Sequence, residues 1–212
     1  MFYELVIAGQ TLHLLPQKAI YWKEHQILII ADVHLGKAGH FRRNGVPVPV
    51  EVNNKNLQRI DALIGSLSPK KVIFLGDLYH SLPNDETIGF LKWLNKYPSI
   101  EFSLTLGNHD TYQNNKYISQ LHISHEEIIE PFIFRHMPYF DIASADKFEI
   151  CGHIHPSVRV PIKARQSVIL PAFIHMQKTL LLPAFGEFTG TFKIEKNILS
   201  RYAIVENGVI RV

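Results

Sequence analysis

Five short apolar runs in this sequence end on Asp, Asn or His, and that arrangement limits the fold more than any other feature. Ile27 to Ala31 is followed by Asp32-Val33-His34, Val72 to Leu75 by Gly76-Asp77, and Glu101 to Leu106 by Gly107-Asn108-His109-Asp110. Phe132 to Arg135 is closed by His136, and Phe148 to Cys151 by Gly152-His153-Ile154-His155. Runs of this length and composition read as strands. Open α/β sheets place their ligands at the carboxyl ends of such strands. Carboxylates, imidazoles and an amide gathered at one edge make a chemical site, not a core.

The segments between the runs support the same layout. Leu57, Ile60, Ile64 and Leu67 recur at helical spacing, with Asn53, Asn54, Lys55, Gln58 and Arg59 left outside and Ser68-Pro69 as the stop. A second helix is predicted from near Asp85 to Lys96. Asn84 is its N-cap, Asp85 and Glu86 lie in its first turn, Lys92 and Lys96 lie late, and Ile88, Leu91 and Leu94 form the inner stripe. Ahead of these, Phe2 to Ile7 with Thr11 to Leu15, and Ala19 to Trp22 with Ile27 to Ala31, read as strand pairs. Strand, helix, strand, helix, strand argues for a parallel-rich sheet covered by helices. Beyond Ile123 the helical signal fades into short β-type runs, the last pair joined by a predicted type I′ turn at Asn207-Gly208. The fold class is α/β, and a four-layer α/β/β/α sandwich of two facing mixed sheets flanked by helices fits this order.

A chain of 212 residues that is 46% apolar fits one domain, residues 1–212, with a sizeable core and no linker to divide it. The formal net charge of +3 is too mild for bulk charge to attract nucleic acid, so any basic footprint must be local. The single cysteine, Cys151, excludes an internal disulfide, suits a reducing compartment and reads as a small buried strand residue. No secretory leader is evident, and no apolar run approaches the roughly 20 residues that span a bilayer. The reading is a soluble, cytoplasmic protein with no membrane partner. Of the 12 histidines, His13, His25, His122, His125 and His175 read as ordinary surface or strand residues.

The order D-x-H, G-D, G-N-H-D, H, G-H-x-H resembles the calcineurin-like metallophosphoesterase superfamily. Four longer stretches are similar to the bacterial DNA-ligase-associated metallophosphoesterases: Ala31 to Pro49, Leu75 to Ser81, Gly152 to Pro156, and L-P-A-F-G-E-F-T-G at Leu182 to Gly190. The resemblance runs from about Ile27 to Gly190. It implies the four-layer sandwich and a centre of two divalent metals. Asp32, His34, Asp77 and His155 would hold one metal; Asp77, Asn108, His136 and His153 would hold the other, with Asp77 as the bridge. Carboxylate and imidazole donors suit Mn²⁺ first, with Fe²⁺ or Zn²⁺ as alternatives. The D-x-H and H-x-H spacings suit an extended segment, whose alternate residues point the same way.

Two metals roughly 3.5–4 Å apart would activate a water and clamp a phosphoryl group. His109 would then serve as the general acid toward the leaving oxygen, with Asp110 orienting its imidazole. His80 stands where the superfamily often has an acidic residue, and reads either as a phosphate contact or as packing. Met137-Pro138 follows His136 where the subfamily commonly has a carboxylate before the proline. Lys37, His40, Arg42 and Arg43 are the candidates for substrate phosphates, and also read as a solvated basic loop.

The expected activity is phosphodiester hydrolysis by a nuclease of DNA repair. The resemblance implies DNA as substrate and an ATP-dependent DNA ligase, a helicase and an exonuclease-like protein as partners. Two rivals stand beside it: a small-nucleotide phosphodiesterase or pyrophosphatase using the same centre, and a non-catalytic scaffold of a repair complex. The apolar stretch Leu180 to Phe188 reads as sheet core, with a homodimer surface as the alternative.

Overall fold

The computed structural model describes residues 1–37, 39, 45, 51–80, 85–110, 120–139, 147–162, 166–187, 189–194 and 198–212, with 51–54 and 85–88 described by backbone alone. Sequence expectations for Asn84, His40, Arg42 and Arg43 lie outside the described residues.

The first sheet has seven strands in chain order, β1 (Tyr3–Ile7), β2 (Gln10–Leu15), β3 (Ala19–Trp22), β4 (Ile27–Ala31), β5 (Lys71–Leu75), β6 (Glu101–Thr105) and β7 (His122–Ser124). β1 to β4 pair antiparallel, whereas β4 to β7 pair parallel. Helices α1 (Glu51–Leu67) and α2 (Asp85–Leu94) make the crossovers from β4 to β5 and from β5 to β6. The alternation therefore gives the expected parallel half-sheet. β3 and β4 are buried along their whole length, as strands lying between two layers must be.

The second sheet comprises β8 (Glu126–Ile129), β9 (Phe132–Arg135), β10 (Phe148–Cys151), β11 (Pro156–Pro161), β12 (Ser167–Met176), β13 (Thr179–Leu181), β14 (Phe192–Lys193), β15 (Ile198–Val205) and β16 (Gly208–Arg211). Its main path runs β14-β11-β12-β13-β10-β9-β8, and β15 joins at β12 and carries β16. Among the described residues, only β9-β10, β10-β13 and β11-β14 are parallel pairs in this sheet.

The two sheets face each other over one apolar layer. Leu12, Leu14, Trp22, Ile29, Ile73 and Leu75 of the first sheet meet Phe132, Phe134, Ile150, Phe173 and Leu180 of the second, all buried. A second core lies between the first sheet and its helices, where Ile60, Leu63 and Ile64 of α1 and Phe90, Trp93 and Leu94 of α2 pack on Leu28, Val72 and Phe74. The architecture is the predicted α/β sandwich of two mixed sheets, and both described helices lie on the first sheet. Leu180, Leu181, Leu182, Ala184 and Phe185 are buried, so the stretch read as core or dimer surface is core over those residues.

Three local expectations need correction. The inner stripe of α2 includes Phe90 and Trp93 beside Leu94 and the partly buried Leu91, because these larger rings reach Phe74, Tyr79 and Phe102; the side chain of Ile88 lies outside the described residues. Arg59 does not face solvent: its guanidinium lies 3.9 Å from the centroid of the Phe185 ring and pairs with Glu187 at 2.7 Å. The last hairpin turns at Glu206-Asn207, since Val205 pairs with Gly208. Neither turn residue has positive φ, so the turn is not type I′. Met1 fixes this register by donating its terminal amine to the Asn207 carbonyl at 2.7 Å.

Candidate metal centre

The carboxyl ends of β4, β5 and β6 are neighbours in one sheet, and those of β9 and β10 are neighbours in the other. Because each set is parallel, the five loops that follow them open at one edge, where the two sheets meet. Two groups of donors form there, Asp32 with His34 and His155, and Asp77 with His136 and His153. A third group joins His34 to His80 and His109. Asp77 lies between the first two, its Oδ2 3.8 Å from His34 Nε2 and 3.6 Å from His136 Nε2. Asn108 Oδ1 stands 3.1 Å from His136 Nε2. The structure thus brings together all seven residues expected to hold metals.

The backbone that does this is not extended. Asp32, His34, Asp77, His153 and His155 all have left-handed φ, between 47° and 67°. The strands end at Ala31 and Cys151, and the D-x-H and H-x-H segments are kinked loops, which corrects the alternation argument. Left-handed φ is uncommon outside glycine but is enriched in Asp and His, and it clusters at functional sites. Close approach requires glycine at two further positions. A Cβ on Gly152 would come within 2.6 Å of Asp32 Oδ2, and one on Gly76, at φ 68°, would overlap the His136 ring.

Four of the donors, Asp32, Asp77, His136 and His155, are anchored to backbone through one atom and turn another toward the centre. Asp32 Oδ2 accepts the His153 backbone N–H at 3.0 Å, while the buried Oδ1 has no hydrogen-bond partner. Asp77 Oδ1 accepts the His109 N–H at 2.9 Å, which leaves Oδ2 toward the histidines. His136 Nδ1 lies 3.0 Å from the Leu75 carbonyl and His155 Nδ1 3.1 Å from the Gly190 carbonyl. A carbonyl can only accept, so both rings carry hydrogen on Nδ1 and turn Nε2 toward the centre. His155 Nε2 faces Asp32 Oδ1 at 3.2 Å without an aligned hydrogen bond. His34 is buried with neither ring nitrogen hydrogen-bonded.

Burial, with the charges of Lys37, His155, His109 and His80, pushes His34 down to about 2, so its imidazole is neutral. Burial likewise lowers His153, helped by His136. For His155 burial pulls down, but the Asp32 carboxylate and the Gly190 carbonyl outweigh it and the net shift is upward. Imidazole nitrogens and carboxylate oxygens converging on one point in this way fit divalent cations.

Around the donors, His109 stacks on His80 with ring centroids 5.1 Å apart and meets His34 edge-on at 5.3 Å. Asp110 is buried and commits both oxygens to backbone, accepting from Tyr79 N at 3.1 Å and Gly107 N at 3.0 Å. It therefore orients His109 by clamping the loop, where a direct grip on the imidazole was expected. Lys37 is half-buried; burial lowers its pKa, and the nearby charges of Asp77 and Asp32 oppose that shift.

Sequence reasoning missed Arg59, Glu149 and His125, which shape the site. Arg59 holds the Phe185 carbonyl and Glu187, and the Phe185 and Gly186 N–H groups donate to the carbonyls of Ala31 and Asp32 at 2.9 and 3.0 Å. That explains the L-P-A-F-G-E stretch, which braces the Asp32 loop from behind. Glu149, buried on β10, faces Arg135 at 3.2 Å and accepts the Tyr139 N–H at 3.1 Å. It supplies a carboxylate near Met137-Pro138. His125, read as ordinary, lines a cleft beside Asn108. Cys151 is buried, as expected, and burial pushes its thiol well up.

The family model for calcineurin-like phosphoesterases matches residues 25–175. Among solved structures, the chain is similar to the Pseudomonas putida nuclease MPE, with 27% identity, a TM-score of 0.82 and full coverage of both chains. It also aligns with Yfce, a phosphoesterase from E. coli, at 13% identity and a TM-score of 0.44 over 88% of this chain and 97% of that one. A comparison with curated proteins gave no significant match. Among the described residues, no helix is long and apolar enough to cross a membrane. The matched span takes in β4 through most of β12 and with them every donor of the centre, so the chain belongs to the calcineurin-like phosphoesterase family and is a metal-dependent hydrolase.

Proposed function

We propose that this chain is a dimetal phosphodiesterase that cleaves DNA, working in the cytoplasm in DNA repair beside an ATP-dependent DNA ligase, a helicase and an exonuclease-like protein. The observation that carries the chemistry is the anchoring of Asp32, Asp77, His136 and His155 through one atom with another turned to the centre, and the place of Asp77 between two groups of donors. In this reading Asp32, His34, Asp77 and His155 hold one cation, and Asp77, Asn108, His136 and His153 hold the other, Mn²⁺ being preferred. The cation pair supplies activation of the attacking water and neutralisation of phosphoryl charge.

The remaining roles belong to the chain itself. His109 donates the proton that the departing oxygen needs, held in place by the loop that Asp77 and Asp110 fix. Lys37, close to the Asp32 and Asp77 charges, contacts a phosphate together with His80, His40, Arg42 and Arg43. The full-length likeness to a protein described as a nuclease supports a nucleic acid as the substrate.

The test is Mn²⁺-dependent hydrolysis of end-labelled single- and double-stranded DNA, with His109→Ala as control and a small diester alongside. Cleavage of DNA that the variant lacks is the expected result. Turnover of the small diester alone would move the substrate to small nucleotides.

A further inference from the structure

Next to Asn108 and His136 the surface opens into a cleft of about 540 Å³, bounded by Gly107, His125, Arg135, Met137 and Tyr139. That volume lies within the ~300–1,000 Å³ of small-ligand sites. Two of its walls are unusual for a surface loop: the Tyr139 and Met137 side chains are 67% and 56% exposed. Met137 follows His136 directly and Tyr139 stands three residues beyond it, and Asn108 and His136 themselves line the cleft, so it borders the candidate centre.

The loop that carries Tyr139 is held firmly. Its backbone N–H donates to both oxygens of Glu149, at 3.1 and 3.3 Å. Glu149 is 4% exposed and also accepts from Thr179 Oγ1 at 3.1 Å. Arg135 is divided between Glu149 at 3.2 Å and Glu126 at 3.0 Å, and lies 5.7 Å from the centroid of the Tyr139 ring. With two carboxylates on it, this guanidinium is already neutralised and makes a poor phosphate site. What the cleft offers is a flat π face, a thioether and an imidazole. Those groups suit a planar, weakly polar ring, and base stacking on an aromatic face is tolerant of sequence.

We propose that this cleft seats the nucleobase next to the scissile phosphate, stacked on Tyr139. The assignment rests on the phosphodiesterase reading above and adds to it a site for the nucleoside. A substrate held there has one base out of its stack, which favours single-stranded or unpaired segments over intact duplex.

The experiment compares thymidine 5′-(p-nitrophenyl phosphate) with methyl p-nitrophenyl phosphate, using the Mn²⁺-loaded full chain. The wild type is expected to prefer the nucleoside ester by about tenfold, mainly through KM, in line with the worth of one base–aromatic stack. Tyr139→Ala and Tyr139→Leu should erase that preference and Tyr139→Phe should keep it. The exposed position of Tyr139 lets all three fold, which melting curves would verify. Equal turnover of both esters by the wild type, or a preference that survives in Tyr139→Ala, overturns the base seat and leaves the phosphodiesterase reading standing. If neither ester is hydrolysed in Mn²⁺, the phosphodiesterase reading falls and the base seat falls with it.

Discussion

The backbone N–H of His109 donates to Oδ1 of Asp77 at 2.9 Å, so the residue assigned to proton transfer and the carboxylate between the two donor groups are tied together. One oxygen of Asp77 is thereby fixed and the other is aimed at His34 and His136. Replacing Asp77 by Asn keeps the shape but removes the charge and can turn an N–H toward those imidazoles. Metal content measured on the purified Asp77→Asn protein should fall at both positions, with activity down by at least ~100-fold. Two metals bound at wild-type affinity would show that Asp77 is no bridge.

His109 itself is expected to behave differently. Its ring packs on His80 and His34, while its backbone does the anchoring. His109→Ala should keep both metals and the loop, and lose about 10²- to 10⁴-fold in turnover of DNA, the usual range for one acid. Metal content falling in parallel with activity would make His109 a structural residue.

Gly186 offers a test of the brace behind Asp32. A Cβ there would stand 2.5 Å from the Val33 carbonyl oxygen and 3.1 Å from that of Asp32, both backbone atoms that cannot swing aside. Gly186→Ala should destabilise the protein by about 1–3 kcal/mol. For a chain of this length that lowers Tm by roughly 2–4 °C per kcal/mol. Gly65, inside α1, meets nothing within 4 Å, so Gly65→Ala should instead stabilise by about 0.5–1 kcal/mol. Equal effects of the two changes would contradict the brace.

What the residues announced and what they hid divides along physical lines. Apolar runs ending on Asp or His are visible because burial between layers demands continuous hydrophobicity, and β4 and β5 follow it residue by residue. The helical spacing of Ile60 and Ile64 is visible for the same reason. Contacts made by exposed-looking residues across long sequence distances are not. Nothing local to Arg59 reveals that it turns onto Phe185, 126 residues away. Nor does the alternating spacing of Asp32 and His34 reveal left-handed φ at both, in a loop that Gly152 and Gly186 approach closely from distant parts of the sequence. Glu149 does not stand out in the sequence because its partners, Arg135, Tyr139 and Thr179, come from other segments of the chain.

The Arg59–Glu187 pair should leave a mark on stability as a function of pH. Burial alone would raise the Glu187 pKa, but the Arg59 hydrogen bond, with Lys18 and Lys55 nearby, leaves it lowered. A carboxylate with a lowered folded pKa stabilises the fold above the ordinary Glu value of about 4.3, and that contribution fades as pH falls through the folded pKa. Glu187 is 41% exposed, so solvent screening keeps the effect below about 1 kcal/mol. The difference in unfolding free energy between wild type and Glu187→Gln should therefore be largest near neutral pH and shrink on acidification. A difference that stays constant from pH 7 to about 3 would mean that the pair is not what holds the brace.

Metal loading should also be readable without any substrate. The open atoms of Asp32, His34 and His155 are buried and lack hydrogen-bond partners, and the residues that carry them sit at strained left-handed φ. Both features cost stability in the folded chain, and a cation that pairs with those atoms offsets the cost only when the fold is intact. Binding to the folded state alone stabilises by about 2.7 kcal/mol at a free concentration of 100 Kd. Titrating Mn²⁺ into chelator-treated protein should raise Tm progressively, by roughly 5–10 °C for a chain of this size. In Asp32→Ala the rise should be reduced, because one position has lost its anchored carboxylate. A Tm insensitive to Mn²⁺ in the wild type would mean that these donors are satisfied in some other way, and the assignment of the centre would have to be withdrawn.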